Sequence, residues 1–178
     1  MKGPDVAITV RRVTGSEAGA SVEALAAVLI DCVEGGASLS FMWPLSREKA
    51  VSFWQEVADE VARGCRALVV AEDEAGHLIG TVSLILDLPE NQPHRADVAK
   101  MLVHRSARRR GVARQLMNEI ERVARVEGRT VLVLDTLTGG AAEQLYAQAG
   151  WHRVGVVPRF ALLPDGQPCD TTYFFKHL

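Results

Sequence analysis

The chain has 178 residues, of which 48% are hydrophobic and 24% charged, and its formal net charge is -2 at pH 7. A chain of this length and apolar content can bury one sizeable core, so we expect a single domain over residues 1–178. The weakly acidic balance argues against a protein that binds polyanions over its whole surface. The longest apolar run, 24–30, is far shorter than the ~20 residues that span a bilayer, and the N-terminus lacks a basic-then-apolar export pattern. We therefore expect a cytoplasmic protein without a membrane partner.

The cysteines and histidines give no sign of a metal centre. The three cysteines, Cys32, Cys65 and Cys169, are odd in number, far apart and outside any Cys-x-x-Cys pair. That pattern predicts neither a disulfide framework nor a zinc site. The five histidines also lack the spacing of metal ligands. We therefore expect no bound metal.

The first half of the chain is predicted to contain three strands and two helices. An alternating, β-branched stretch predicts a strand at 7–13, and apolar residues at helical spacing predict a helix at 22–33. A second helix is expected from Ser46 to Gly64, because glycine tolerates the positive φ that often ends a helix. Strands are expected at 66–72 and 77–86, on either side of a hairpin turn.

The second half alternates strands with amphipathic helices. Apolar and polar faces separate clearly over 111–127, which predicts a helix, and a shorter helix is expected at 141–149. Strands are predicted at 97–103, 131–134, 152–157 and 171–176. The strand, helix, strand succession favours a parallel or splayed pair, whereas the last two strands predict an antiparallel closure.

A cluster of arginines lies where the strand at 97–103 gives way to the following helix. Its members are Arg105, Arg108, Arg109, Arg110 and Arg114. The first N–H groups of a helix lack partners within the helix and favour an anion, and the small residues Gly111 and Ala113 allow close approach of a ligand. The segment therefore predicts a pyrophosphate cradle. Two alternatives stay open, a solvated helix start and a nucleic-acid patch, although we expect no nucleic-acid partner.

Two motifs resemble those of the GCN5-related N-acetyltransferase (GNAT) family. The spacing Arg108-x-x-Gly111-x-Ala113 resembles the family's acetyl-CoA signature. The segment from Gln144 to Trp151 is similar to its Leu-Tyr-x-x-x-Gly-Phe element, with Trp151 in place of phenylalanine. The resemblance implies an α/β (α+β) fold whose mixed, splayed sheet has about seven strands and about four flanking helices. It also implies acetyl-CoA as co-substrate.

The resemblance carries the family's cofactor contacts onto particular residues. Backbone groups that would pair with the pantetheine arm belong to Met101, Leu102 and Val103. Residues that would hold the pyrophosphate are Arg108, Arg109, Arg110, Gly111, Val112, Ala113 and Arg114. Tyr146 would contact the cofactor and protonate the departing thiolate, and a backbone N–H near Val103 would support the oxyanion.

Three further segments, 33–42, 95–98 and 134–136, look like those of the tabtoxin-resistance acetyltransferases. This likeness implies a small acceptor that bears an amine. Asp97 and Asp135 match acidic positions there, and we interpret them as a proton-accepting pair that also contacts the acceptor, although both could be ordinary strand-end carboxylates. Glu34, Ser38 and Phe41 could line the acceptor site, or Glu34 and Ser38 could merely shape a loop.

One departure from the family pattern concerns Gly139, which stands where many members have asparagine. The helix start that this asparagine marks could still form with Thr138 as N-cap.

The leading hypothesis is an acetyl-CoA-dependent N-acetyltransferase in which a small-molecule amine, of amino-acid or antibiotic type, attacks directly in a ternary complex. Alternatives are acetylation of a protein or peptide, and a non-catalytic acyl-CoA-binding module. A homodimer is possible for a sheet protein of this size.

Overall fold

The strands of the computed structural model, which describes residues 7–178, form one seven-stranded sheet. They are β1 (Thr9–Val13), β2 (Arg66–Glu72), β3 (Leu78–Ile85), β4 (Arg95–Val103), β5 (Val131–Leu137), β6 (His152–Leu162) and β7 (Pro168–His177). Their order is β1-β2-β3-β4-β5-β7-β6. All neighbours are antiparallel except β4 and β5, which are parallel, so the predicted mixed sheet is confirmed.

Within residues 7–178, five helices accompany the sheet, one more than the sequence predicted. They are α1 (Gly15–Ala20), α2 (Val22–Glu34), α3 (Arg47–Ala62), α4 (Val112–Val126) and α5 (Ala141–Gln148). The unexpected one, α1, carries two glycines and is too short to show periodicity, but a capping box between Thr14 and Glu17 starts it. A short 3-10 turn, Arg105–Ala107, follows β4. Within residues 7–178 no helix combines the length and the apolar character that a membrane span requires.

The two faces of the sheet are covered unequally. One apolar core joins α4 and the buried part of α5 to the sheet, and it includes Leu116, Leu132 and Tyr146. The other core joins α1, α2 and α3 to strands β1 to β4. On that second face, helices therefore pack over only part of the sheet, and the face of β5, β7 and β6 is left for other contacts.

Most predicted boundaries agree within a few residues, and the largest differences lie at the C-terminal strands. β6 extends to Leu162 because an irregularity after Val157 restores its pairing with β7. The predicted N-cap of α5, Thr138, is wrong, since the cap is Gly140. The Thr138 hydroxyl instead lies 2.8 Å from that of Thr172 on β7.

The parallel strands β4 and β5 pair only at one end. Residues Arg95–Asp97 are in register with Val131–Val133, and the pairing stops there. Beyond that point β4 continues against β3, while β5 continues against β7. The two strands therefore diverge and leave a wedge between residues 99–103 and 135–137, as the predicted splay requires.

Candidate active site

The loop between the 3-10 turn and α4 presents a row of unused backbone donors. Arg109 and Gly111 have φ values of 61° and 79°, both in the left-handed region. The first backbone bond of the helix runs from the N–H of Gln115 to the carbonyl of Gly111, at 3.1 Å. Within the described residues, the N–H groups of 109–114 have no hydrogen-bond acceptor. Such a turn at a helix N-terminus suits a phosphate group.

The side chains of this cradle divide into anchors and exposed cations. Val112 is buried and fixes the helix start, so only its N–H can contact a ligand. Arg108, Arg109, Arg110 and Arg114 are exposed. A β-carbon built on Gly111 would meet nothing within 4 Å, so positive φ, and not the space that the sequence suggested, is what glycine provides here.

Strand β4 turns selected backbone groups toward the wedge. The N–H of His104 donates to the carbonyl of Ile79 on β3, at 2.9 Å, and Leu102 lies opposite Thr81. Because antiparallel pairing alternates, the backbone groups of Met101 and Val103 point away from β3, whereas those of Leu102 face it. The backbone groups of Met101 and the N–H of Val103 are thus available to a ligand arm in the wedge, whereas the Val103 carbonyl already accepts from Arg108 Nε, at 3.4 Å, and from Cys32 Sγ, at 3.5 Å.

Tyr146 lies in the core beside the wedge. It is 5% exposed, and its ring centroid is 6.0 Å from that of Trp151 and 5.9 Å from that of Phe174. Burial, with a further contribution from the charge of Asp135, raises the pKa of Tyr146 well above its ordinary value. Within residues 7–178 the Tyr146 hydroxyl makes no hydrogen bond, so a protonated phenol is free to donate to a ligand.

The two aspartates share the face of the sheet opposite α4. Asp97 is in register with Val133, and Asp135 is two residues further along the same strand β5. Loss of surrounding water raises the pKa of Asp135, Lys100 opposes the shift and Asp97 adds to it. Asp97 forms an ion pair with Arg95. The structure therefore places the two predicted carboxylates close together. Asp97 is the third residue of β4, and Asp135 is the third residue from the end of β5.

Two ionisable side chains on this face were missed by the sequence analysis. Tyr173 on β7 lies opposite Asp135, and burial and the charges of Asp135 and Asp97 raise its pKa. Lys100 on β4 donates to the hydroxyl of Ser40, at 3.2 Å. For Lys100, the available signal was a lysine between the apolar residues 98–99 and 101–103 of β4.

The loop between α2 and α3, residues 35–46, crosses toward the open half of the sheet. The N–H of Trp43 donates to the carbonyl of Pro164 in the β6–β7 turn, at 2.9 Å. Ser38 Oγ lies 3.9 Å from Cys169 Sγ on β7, and Phe41 meets Phe53 of α3 edge-on at 5.3 Å. This loop, residues 35–46, therefore covers part of the face of the sheet that carries the aspartates, and it is called the roof below.

Glu34, which was predicted with Ser38 and Phe41 to line the site of the acceptor amine, lies apart from that roof. Its carboxylate is 3.5 Å from Arg105, which also pairs with Asp31 at 2.8 Å. These contacts tie the end of α2 to the turn that precedes the cradle. Within residues 7–178, no three His, Cys, Asp or Glu side chains are grouped to hold a metal ion.

Comparisons with known proteins agree with this geometry. A model of the acetyltransferase (GNAT) family matches residues 34–151. A GCN5-related N-acetyltransferase from Kribbella flavida is 23% identical, with a TM-score of 0.79 over 99% of this chain and 100% of that chain. A ribosomal-protein-alanine N-acetyltransferase from Brucella melitensis is 25% identical, with a TM-score of 0.77 over 96% and 99% of the two chains. The Salmonella typhimurium protein yncA, whose structure includes its cofactor acetyl-CoA, is 18% identical, with a TM-score of 0.75 over 97% and 94%.

The span matched by the family includes the cradle, both sides of the wedge and Tyr146. Free N–H groups at the helix start fit a pyrophosphate, and the gap between β4 and β5 fits an extended arm. The chain belongs to the GNAT family of acetyltransferases and uses acetyl-CoA as its co-substrate.

Proposed function

We propose that this acetyltransferase acetylates the amine of a small molecule, by direct attack within a ternary complex. The observation that carries the proposal is the face of the sheet that carries Asp97 and Asp135, which the loop of residues 35–46 reaches through the hydrogen bond from Lys100 to Ser40. A free alkylamine is mostly protonated at neutral pH, so a nearby carboxylate, directly or through water, must take its proton before attack.

The residues around the wedge divide the chemistry among them. Acetyl-CoA supplies the acetyl group as a thioester. The carboxylates accept the proton of the ammonium group, the amine nitrogen bonds to the carbonyl carbon, and the N–H of Val103 faces the charge that grows on the carbonyl oxygen. As the C–S bond breaks, Tyr146 donates its proton to the sulfur and the nitrogen, now bonded to the acetyl carbon, releases its second proton to solvent. Tyr146 then regains a proton from solvent, which leaves the amide and the free thiol of CoA.

The test is spectrophotometric release of CoA thiol from acetyl-CoA, with tabtoxinine-β-lactam beside amino acids, polyamines and aminoglycosides. We expect saturable release with at least one small amine. Release with the β-lactam would support a detoxifying role, and release with another amine would assign a different acceptor. No release from any small amine by protein that binds acetyl-CoA would overturn the proposal.

A second candidate is acetylation of a protein N-terminus, which is favoured by the Brucella melitensis relative named for ribosomal-protein-alanine acetylation. Exposed apolar side chains offer a peptide contact, among them Trp43 within the roof and Phe160 on β6. Adding peptides that begin with alanine to the same assay separates the candidates. A peptide acetylated far faster than every small amine would favour this second function.

A further inference from the structure

Lys100 occupies an irregular position in β4. Ser83 pairs with Ala99 but Thr81 pairs with Leu102, so β4 contains one extra residue opposite β3. Lys100 lies in that bulge with a φ of 51°, an uncommon value for a residue with a side chain.

The bulge changes the face on which Lys100 lies. Ala96 and Val98 belong to the core beneath α4, so regular alternation would place residue 100 with them. After the bulge, Leu102 belongs to the opposite core, and the Lys100 amino group contacts Ser40 and lies 5.7 Å from the ring centroid of Phe53. Lys100 therefore shares the face of Asp97 and Asp135.

Lys100 differs from its basic neighbours in having no carboxylate partner. Arg66 pairs with Glu60 at 2.6 Å, and Arg95 pairs with Asp97. Within the described part of the chain, no carboxylate oxygen lies within 4 Å of the Lys100 nitrogen. Burial and the charge of Arg66 lower the pKa of Lys100, and the charge of Asp135 opposes that shift. The half-buried ammonium group thus lacks a close counter-ion.

We propose that Lys100 binds an acid group of the acceptor, so that the substrate carries both an amine and a carboxylate or similar oxyanion. This inference rests on the proposed small-molecule function. The amine would face Asp97 and Asp135, while the acid group would supply the counter-ion that Lys100 lacks. Lys100 lies three positions after Asp97, about 10 Å along a strand, and the flexible lysine stem can shorten that distance.

The experiment compares matched acceptors in the CoA-release assay: amino acids, their carboxamides and the corresponding decarboxylated amines. In the wild-type protein we expect kcat/KM to favour the acid over its carboxamide by roughly 10- to 100-fold, the range of one charge-assisted hydrogen bond. Lys100→Met should lower this preference ratio at least tenfold, mainly through KM. Lys100→Arg should retain the preference, and Lys100→Glu should reverse it.

Lys49→Met is the matched control. The Lys49 amino group lies 5.9 Å from the ring centroid of Phe41, but the residue is exposed on α3. This variant removes a nearby positive charge and should keep the preference ratio of the wild type. Unchanged affinity for acetyl-CoA in the Lys100 variants, measured by calorimetry, would show that the sheet is intact.

The possible failures are distinct. Carboxamides or amines acetylated as fast as the acids would overturn the role of Lys100 and leave the proposed function standing. An acid preference that survives in both Lys100→Met and Lys100→Glu would also overturn it. Silence with every small acceptor would overturn the proposed function, and this inference with it.

Discussion

Loss of water around a side chain disfavours its charged form, and Tyr146 shows the useful consequence of this at the wedge. Its phenol is almost fully buried, and Asp135 adds negative charge nearby, so both effects keep it protonated. Because the phenol stays protonated through neutral pH, it has a proton to donate to the departing thiolate of CoA.

Tyr146→Phe should therefore slow turnover by roughly 10²- to 10⁴-fold, the usual contribution of a positioned acid. The cofactor affinity should change little, since the ring packing against Trp151 and Phe174 is retained. Steady-state kinetics with calorimetric titration of acetyl-CoA measures both quantities. Turnover equal to that of the wild type would exclude Tyr146 as the acid.

Asp135 illustrates how a carboxylate in a partly desolvated position lowers the stability of the fold. Its pKa is raised by desolvation although the residue is exposed, so solvent screens part of the effect. A carboxyl group with a raised pKa binds protons more tightly in the folded state than in the unfolded state. The fold therefore carries a penalty above the folded-state pKa, and this penalty disappears as the pH falls below the unfolded-state value.

Asp135→Asn should lower activity and raise stability at neutral pH. The stability difference should close as the pH falls through the titration of the wild-type carboxyl group. Urea unfolding at neutral and acidic pH, beside a pH-rate profile, tests both parts. If the variant is less stable than the wild type at neutral pH, the desolvation argument fails, and an unaltered profile removes Asp135 as a base.

At the scale of elements, a close approach of β3, β4 and α4 positions the wall of the wedge. A β-carbon built on Gly80 would lie 2.8 Å from the carbonyl oxygen of Leu102 and 3.1 Å from Leu116 Cδ1. The first contact is with backbone, which cannot move aside without shifting β4. Gly80 therefore sets the distance between the wall of the wedge and its neighbouring strand.

Gly80→Ala should destabilise the fold by about 1–3 kcal/mol, the usual cost of overpacking, and should raise the KM for acetyl-CoA because β4 lines the wedge. Gly155→Ala is the matched control, since Gly155 is also a strand glycine but a β-carbon there meets nothing within 4 Å. Chemical denaturation and kinetics of the two variants provide the comparison. Equal effects would show that the contact with Leu102 is unimportant.

At the scale of the whole molecule, the two sides of the wedge are joined by few direct strand contacts, so side-chain links matter. Glu121 of α4 is 8% exposed and accepts from Lys176 of β7, at 2.8 Å, and from the indole N–H of Trp151, at 3.2 Å. Lys176 also donates to the carbonyl of Ala149, at 2.8 Å. This network connects α4, β7 and the end of α5 behind the wedge.

Lys176→Met should destabilise the fold by about 3–5 kcal/mol, because it leaves Glu121 buried without its cation. The double variant Lys176→Met with Glu121→Gln should recover part of the loss, since it removes the unpaired charge. Equilibrium unfolding of the single and double variants measures the coupling. A single variant as stable as the wild type would show that solvent reaches Glu121.

Local patterns were sufficient to predict most elements and both motifs. The amphipathic period of α4, the N-cap Ser46 and the terminating Gly64, with a φ of 75°, each depend on residues a few positions apart. The positions of Glu34 and Ser38 could not be predicted from local patterns, because Glu34 lies beside Arg105 and Ser38 lies beside Cys169. Their partners lie 71 and 131 residues further along the chain.

The sequence by itself determined the order of the strands and of every helix except α1, the cradle predicted at the start of α4 and the family, because each depends on short-range spacing. Only the tertiary structure decided which side chains meet at the wedge. A single extra residue in β4 reverses the alternation of faces. Lys100 therefore lies on the same face as Asp97 and Asp135, although regular alternation would place it on the opposite face. That reversal arises from pairing with β3, an interaction between strands, and no local pattern in β4 encodes it.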